Sequence, residues 1–319
     1  MPDADHRPDE ERRGRAFRRA ARSQRRRRAM GLALRVAAPI LPRRPPPRQP
    51  IFILGSPRSG TTVLFDVLSR HPDVRSLEVE GHLLWELFHS PKDRGWTSHA
   101  TRPQDITRSE RRALYWAIDR IAGPHRYLDK TPRNSLRVPY LQALFPDARF
   151  VYLKRDGRAA VNSLLNAWRS DSGMFPGLRA RTPIHIEGAR DDRWRLVAPP
   201  GWQDYATGHD LPEVCAFQWT ACNESILRAR EAIPAAQWVE VSYEDFVARP
   251  VEQAERLVTA AGLSPSDAVL SYAGELDRHV SKAVTPPRPD KWRDENPQDI
   301  ARILPVIEPT MRRLGYVAS

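Results

Sequence analysis

Residues 55–62 read GSPRSGTT, with the apolar run IFIL before them and VLFDVLSRH after them. A glycine-bounded loop between a strand and a helix presents consecutive backbone N–H groups that have no partner within the helix, and the helix dipole adds to their pull on an anion. A phosphate or a sulfate suits such a loop. The spacing from Gly55 to Gly60 is that of the G-x-x-x-x-G phosphate loop, but Thr61 occupies the position where that motif has lysine. The positive charge sits instead at Arg58, and Thr61 and Thr62 supply hydroxyls.

A second charged segment, RDGRAAVNS at 155–163, follows the apolar FVYL. A phosphoryl-transfer enzyme of the P-loop type needs an acid at a strand end to hold magnesium. Asp156 is the one candidate, and Lys154 and Arg155 beside it favour an anion over a cation. Two anion sites at the carboxyl ends of two parallel strands are where an open α/β sheet places its ligand.

The elements that must carry these loops are legible from periodicity and punctuation. IFIL, RYLDK, RFVYLKRDG and WVEVSYEDF read as strands, the first two-sided in its apolarity, as a strand buried on both faces is. Helices are expected after the first loop, over RSERRALYWAIDRIAG, SLRVPYLQALF, GRAAVNSLLNAW and PEVCAFQWTACNESILRAREA, and from about 297 to 314. Leu83, Leu84, Leu87 and Phe88 form a further helical stripe. Strands alternating with helices predict an α/β, P-loop-like three-layer fold, a central and mostly parallel sheet flanked by helices. PRRPPPRQP, at 42–50, marks a boundary between an Arg/Pro-rich, disordered tail at 1–50 and a domain at 51–319. Residues 170–211, rich in Gly, Pro, Trp and charge, read as an insertion or lid.

The net charge of +12 is concentrated in the tail, where 15 arginines face 5 acids; the other 269 residues carry 36 basic and 34 acidic groups. The body therefore has no nucleic-acid signature, and no specific nucleic-acid partner is expected. The run AMGLALRVAAPIL is short of the roughly 20 apolar residues that span a bilayer; a surface segment in peripheral contact with an anionic membrane or with nucleic acid is one reading of the arm, and a disordered solubilising tail is an equal one. Cys215 and Cys222, seven apart on one helix, are too distant to bridge each other and read as buried thiols. They favour a reducing, cytoplasmic setting.

Both anion motifs, with HPDV, LDKTPRN, LFPDARFVYLKRDGRA, VSYEDFVARP and KAVTPPRPDKW in order, resemble the sulfotransferases that use 3′-phosphoadenosine 5′-phosphosulfate (PAPS). The resemblance runs from Ile51 to Tyr316 and is nearest to the tyrosylprotein and bacterial carbohydrate-type branch. It implies transfer of a sulfuryl group to a hydroxyl of a carbohydrate, lipid, small metabolite or tyrosine, without a metal and with PAP as product. It also implies that Arg58, Ser59, Gly60, Thr61 and Thr62 hold the phosphosulfate, and Arg155 and Ser163 the 3′-phosphate. Tyr243, Ser281, Lys282 and Lys291 complete the implied donor site. Where the family has a donor-binding arginine this chain has Ala167, so the resemblance implies that one donor contact is either missing or replaced by Arg169.

Lys130 matches the family lysine that offsets charge on the leaving phosphate; a salt bridge to Asp129 or another acid is its alternative role. For the base that takes the acceptor's proton, a gapless match falls on Val79. EGHLLW favours Glu80, with Glu78 and His82 as alternatives. Competing functional readings are a P-loop kinase or ATPase and a non-catalytic protein that binds through its basic arm. Acceptor identity and oligomeric state are not encoded in any motif.

Overall fold

The computed structural model describes residues 29–77, 80–170, 184–276 and 290–316. Five strands, β1 (Ile51–Leu54), β2 (Val74–Arg75), β3 (Arg126–Lys130), β4 (Arg149–Lys154) and β5 (Trp238–Ser242), form one sheet in the order β2-β3-β1-β4-β5. Every pairing is parallel. The chain leaves β1 toward β3 on one side and returns to β4 on the other, so the topological switch lies at β1, beside the two anion loops.

Alternation along the strands feeds two separate cores. Phe52, Leu54, Phe150 and Tyr152 point into the larger one, and Ile51, Ile53, Val151 and Leu153 into the smaller. Both faces are buried, which is why IFIL and FVYL carry no polar alternation. The larger core is closed by α3 (His82–Trp85), α4 (Arg108–Ala122), α5 (Val138–Leu144), α6 (Gly157–Arg169), α7 (Trp202–Ala206), α8 (Leu211–Arg230) and α13 (Pro297–Arg313). The smaller is closed by α2 (Thr61–Leu68), α9 (Tyr243–Ala248), α10 (Pro250–Ala260) and α11 (Asp267–Gly274), while α12 (Trp292–Glu295) sits just before α13. This is the three-layer arrangement anticipated from the alternation.

Two expectations need correction, and a third segment is placed. The boundary at the proline-rich segment does not detach what precedes it: residues 29–37 form a helix, α1, and Ala38 behind it is fully buried. Residues 184–211, the described part of the expected insertion or lid, pack into the larger core. Trp194 and Trp202 are buried to 1% exposure or less, and the rings of Trp168, Trp194 and Trp202 touch in series, edge to face at 5.4 Å and tilted at 4.8 Å. Aromatic rings of that size bury too much apolar area to stay outside a core; residues 171–183 lie outside the described residues. Finally, the stripe at 83–88 makes one turn only, because Glu86 leaves it to meet Arg133 and Arg137. Cys215 and Cys222 are buried and free, and burial pushes the Cys222 thiol up to about 12.

Candidate active site

Register between β1 and β4 pairs Leu54 with Tyr152, so the loops leaving both strands emerge side by side. A side chain at Gly55 would put its Cβ 2.8 Å from Thr61 Cγ2 and 2.9 Å from the Leu153 carbonyl, so glycine lets the loop start against β4. Buried Ser56 and Ser59 share a hydrogen bond of 2.6 Å that folds the loop on itself. Arg58 (φ 69°) and Gly60 (φ 91°) are both left-handed, a conformation that costs a non-glycine residue about 1–2 kcal/mol. Strain at an arginine is repaid where its side chain has a task. No side chain caps α2, so its opening N–H groups face the loop interior.

The two anion segments meet directly. Arg155 donates to the Arg58 carbonyl at 2.8 Å, and Arg58 Nε donates to Ser163 Oγ at 3.2 Å. Burial, then the charge of Arg155, pulls the Arg58 guanidinium below its ordinary value. Among the described residues no carboxylate pairs with Arg155. Asp156, the one acid near enough in sequence to serve magnesium, caps α6 and pairs with Arg158 at 2.7 Å. Tyr243 is wedged between the cradles: its ring lies under the Arg155 guanidinium at 4.4 Å and fills the space where a Gly60 Cβ would be, 2.4 Å away.

Glu80 and Lys130 come together as well, Lys130 Nζ donating to Glu80 Oε1 at 2.9 Å. Lys130 is 8% exposed at the end of β3, while the Glu80 side chain is 42% exposed. The lysine's two readings are thus realised in one contact: its salt-bridge partner is the candidate base. Next to Lys130 in sequence, buried Asp129 accepts from Trp85 Nε1 at 3.1 Å and Asn134 Nδ2 at 2.7 Å. Thr131 Oγ1 donates to Asp129 and accepts from the Gly81 N–H at 2.8 Å. A Cβ at Gly81 would lie 2.0 Å from Asp129 Oδ1, so only glycine can follow Glu80 here.

Burial pushes the Asp129 carboxyl up to about 6. Its unfolded value is about 3.9, so between roughly pH 4 and pH 6 the native state holds a proton that the unfolded chain has released, and stability falls as pH rises. Asn at this position does not titrate. The unfolding free energy of the wild type relative to Asp129→Asn therefore drops by about 2–3 kcal/mol from pH 4 to pH 7 in urea titrations. A difference that is flat or rises with pH would show that the hydrogen-bond donors around the carboxylate outweigh burial.

Sequence reasoning missed the cluster beside Glu80. Arg133 donates to both oxygens of Glu86, at 2.7 and 2.8 Å, and fully buried Arg137 adds a bond at 3.2 Å. Burial alone would raise the Glu86 carboxyl, but the two arginines outweigh it and hold it below the usual range. Burial, then the charge of Arg133, pulls the His82 imidazole below its ordinary value, and His99 lies well below for the same reasons. The His82 Nδ1 is buried without a hydrogen-bond partner among the described residues. No spacing in the sequence links 82, 86, 99, 133 and 137; the sheet order does.

Arg169 and Lys291, two of the other anticipated donor residues, each meet an acid of the C-terminal segment. Arg169 binds Asn296 and Asp299 and so anchors α13; it does not stand in for an arginine at 167. Lys291 stands 3.8 Å from Glu295, whose other oxygen accepts from Asn162 and Asn166 on α6, the helix of Ser163. Trp292 is half-buried against the larger core, with the guanidinium groups of Arg158 and Arg293 over its ring at 5.2 and 4.5 Å. Glu78, Ser281 and Lys282 lie outside the described residues.

Known proteins share this frame. The sulfotransferase family profile matches residues 50–198 and 194–267. Protein-tyrosine sulfotransferase A of Caenorhabditis elegans is 26% identical over 292 residues, covering 83% of this chain and 67% of its own. Protein-tyrosine sulfotransferase 1 of Danio rerio is 27% identical, with 83% and 72% covered. Among solved structures, the sulfotransferase STF9 from Mycobacterium avium superposes with a TM-score of 0.58 at 17% identity, over 86% of this chain and 78% of that one. The sulfotransferase domain of the curacin biosynthetic pathway gives 0.52 at 16% identity, over 85% and 99%. These two likenesses are of fold. The profile match reaches well beyond half of the chain and contains both anion loops and the Glu80–Lys130 pair, and on it the protein belongs to the sulfotransferase family.

Proposed function

We propose that this sulfotransferase takes its sulfuryl group from PAPS and passes it to an acceptor hydroxyl at Glu80. The observation that supports the donor is the contact between the cradles: Arg155 on the Arg58 carbonyl and Arg58 on Ser163 bring the two cationic segments side by side. Two arginines pressed together, one with its charge disfavoured by the other, fit a ligand with phosphate at both ends of a nucleoside. The residues present fit that group: the Gly55–Thr62 loop and Arg58 would hold the phosphosulfate, and Arg155 with Ser163 the 3′-phosphate. Tyr243, under Arg155 and over Gly60, would border the nucleoside.

Bound there, PAPS supplies a sulfuryl group carried on a phosphate leaving group. Glu80, half exposed, takes the proton from the acceptor oxygen as that oxygen bonds to sulfur. Lys130 has three N–H donors and spends one on Glu80; another meets the charge that builds on the bridging oxygen as the S–O bond breaks. Arg58 and the α2 N–H groups hold the phosphate end in line with the acceptor. Neutral His82 and the arginine-bound Glu86 form the wall beside Glu80, where they would orient the acceptor. A cytoplasmic setting, consistent with the two free thiols, is part of the proposal.

PAP tests the donor assignment directly. At about 100 times its dissociation constant it adds about 2.7 kcal/mol of stability, raising the thermal midpoint of a chain of this size by roughly 4 °C, with chelator present. Protection by ATP only, and only with magnesium, would contradict the assignment.

A further inference from the structure

Large exposed apolar side chains are unevenly distributed. Of the seven among the described residues, Met30 (71% exposed), Leu32 (64%), Val36 (73%) and Ile40 (85%) all belong to α1 and the turn behind it. Spacing of four puts Leu32 and Val36 in one row along the helix, and Ile40 extends it. The opposite side is the one that docks. Leu34 packs on the larger core, Ala38 is fully buried, and a Cβ at Gly31 would sit 3.3 Å from Leu87.

Polar contacts hold this segment to the domain without using the exposed row. Arg35 pairs with Asp93 at 2.9 Å, Arg112 donates to the Pro39 carbonyl, and Arg44 pairs with Asp119 at 3.2 Å. A helix that is apolar on all sides is ordinarily covered on all sides. Here one side is left over, on a segment already fixed in place.

Charge selects what covers it. Residues 12–28, which lead directly into α1, contain ten arginines and no acid. A second copy would bring the same charge against itself, and a nucleic acid would use the arginines while leaving the apolar row in water. An anionic bilayer satisfies both, with acyl chains for the row and headgroups for the arginines. No helix of the described residues is long and apolar enough to cross a membrane, so the contact is interfacial.

We propose that α1 and its following turn lie in the surface of an anionic lipid bilayer, with Leu32, Val36 and Ile40 inserted and the arginine-rich sequence before the helix supplying the attraction for anionic lipid. The test is co-sedimentation of the full chain with vesicles of phosphatidylcholine alone, or of three parts phosphatidylcholine to one part phosphatidylglycerol, at low and high salt. The comparison is the triple variant Leu32→Ser, Val36→Ser, Ile40→Ser; since these side chains are exposed, its PAP affinity and thermal midpoint stay at wild-type values and report its fold. Binding to the anionic vesicles is expected to weaken about tenfold or more in the variant and to survive in part at high salt in the wild type. Equal binding of variant and wild type, abolished entirely by salt, would overturn the proposal by showing charge alone at work. So would a concentration-dependent dimer, removed by the same substitutions, in a protein that ignores vesicles.

Discussion

Glu80→Gln lowers kcat by about 10²–10⁴-fold while the affinity for PAP stays within about twofold of wild type. The amide keeps the shape of the side chain and its acceptor oxygen for Lys130, so the 2.9 Å contact and the fixed Gly81 turn survive. What disappears is the group that accepts a proton. Because Glu80 lies beside the end of β3 and not in either arginine cradle, donor binding is untouched and the defect falls on kcat alone. Single-turnover kinetics with PAPS and any hydroxyl acceptor that the wild type sulfates would separate the two. If Glu80→Gln turns over at the wild-type rate, the base is elsewhere, with Glu78 and His82 as the alternatives that remain.

Arg155→Ala weakens PAP binding by about 10–100-fold, the worth of one or two charge-assisted hydrogen bonds to a phosphate. The effect is specific to one end of the ligand. Arg155 reaches across to the Arg58 carbonyl and lies on the Tyr243 ring, but the loop around Arg58 is built from its own contacts, the Ser56–Ser59 bond and the close seat of Gly55 against β4. The variant thus keeps the 5′ cradle and forfeits the 3′ one. A nucleotide with only a 5′-phosphate should bind it about as well as it binds the wild type.

Much of this is written in the sequence, for identifiable reasons. IFIL and FVYL are short apolar runs bounded by glycine and charge, so buried parallel strands followed by anion loops are readable without tertiary information. Glu80 and Lys130 are each identifiable from their segments; their pairing is not, because it depends on β2, which leads to Glu80, lying next to β3. The same holds for Arg133, Glu86 and Arg137, which form a bonded group only once the end of β3 meets the turn after α3. Composition misleads at two places. Proline and arginine around 42–50 suggest a free tail, yet the apolar face of α1 docks on the core, and the glycine- and charge-rich 184–211 is held by tryptophans whose burial outweighs its polarity. Arg169 shows the limit of substituting by proximity in sequence, since helical phase turns it toward α13 and away from Ser163.

Calorimetric titration of PAP and of adenosine 5′-phosphate into wild type and Arg155→Ala, without magnesium, asks whether one nucleotide spans both cradles. Wild type should bind a single PAP per chain and prefer it over the 5′-monophosphate by about 10–100-fold, and Arg155→Ala should bring the two ligands to within about threefold of each other. Undiminished preference in the variant, or two independent nucleotides per wild-type chain, would mean that the neighbouring arginine loops serve separate ligands.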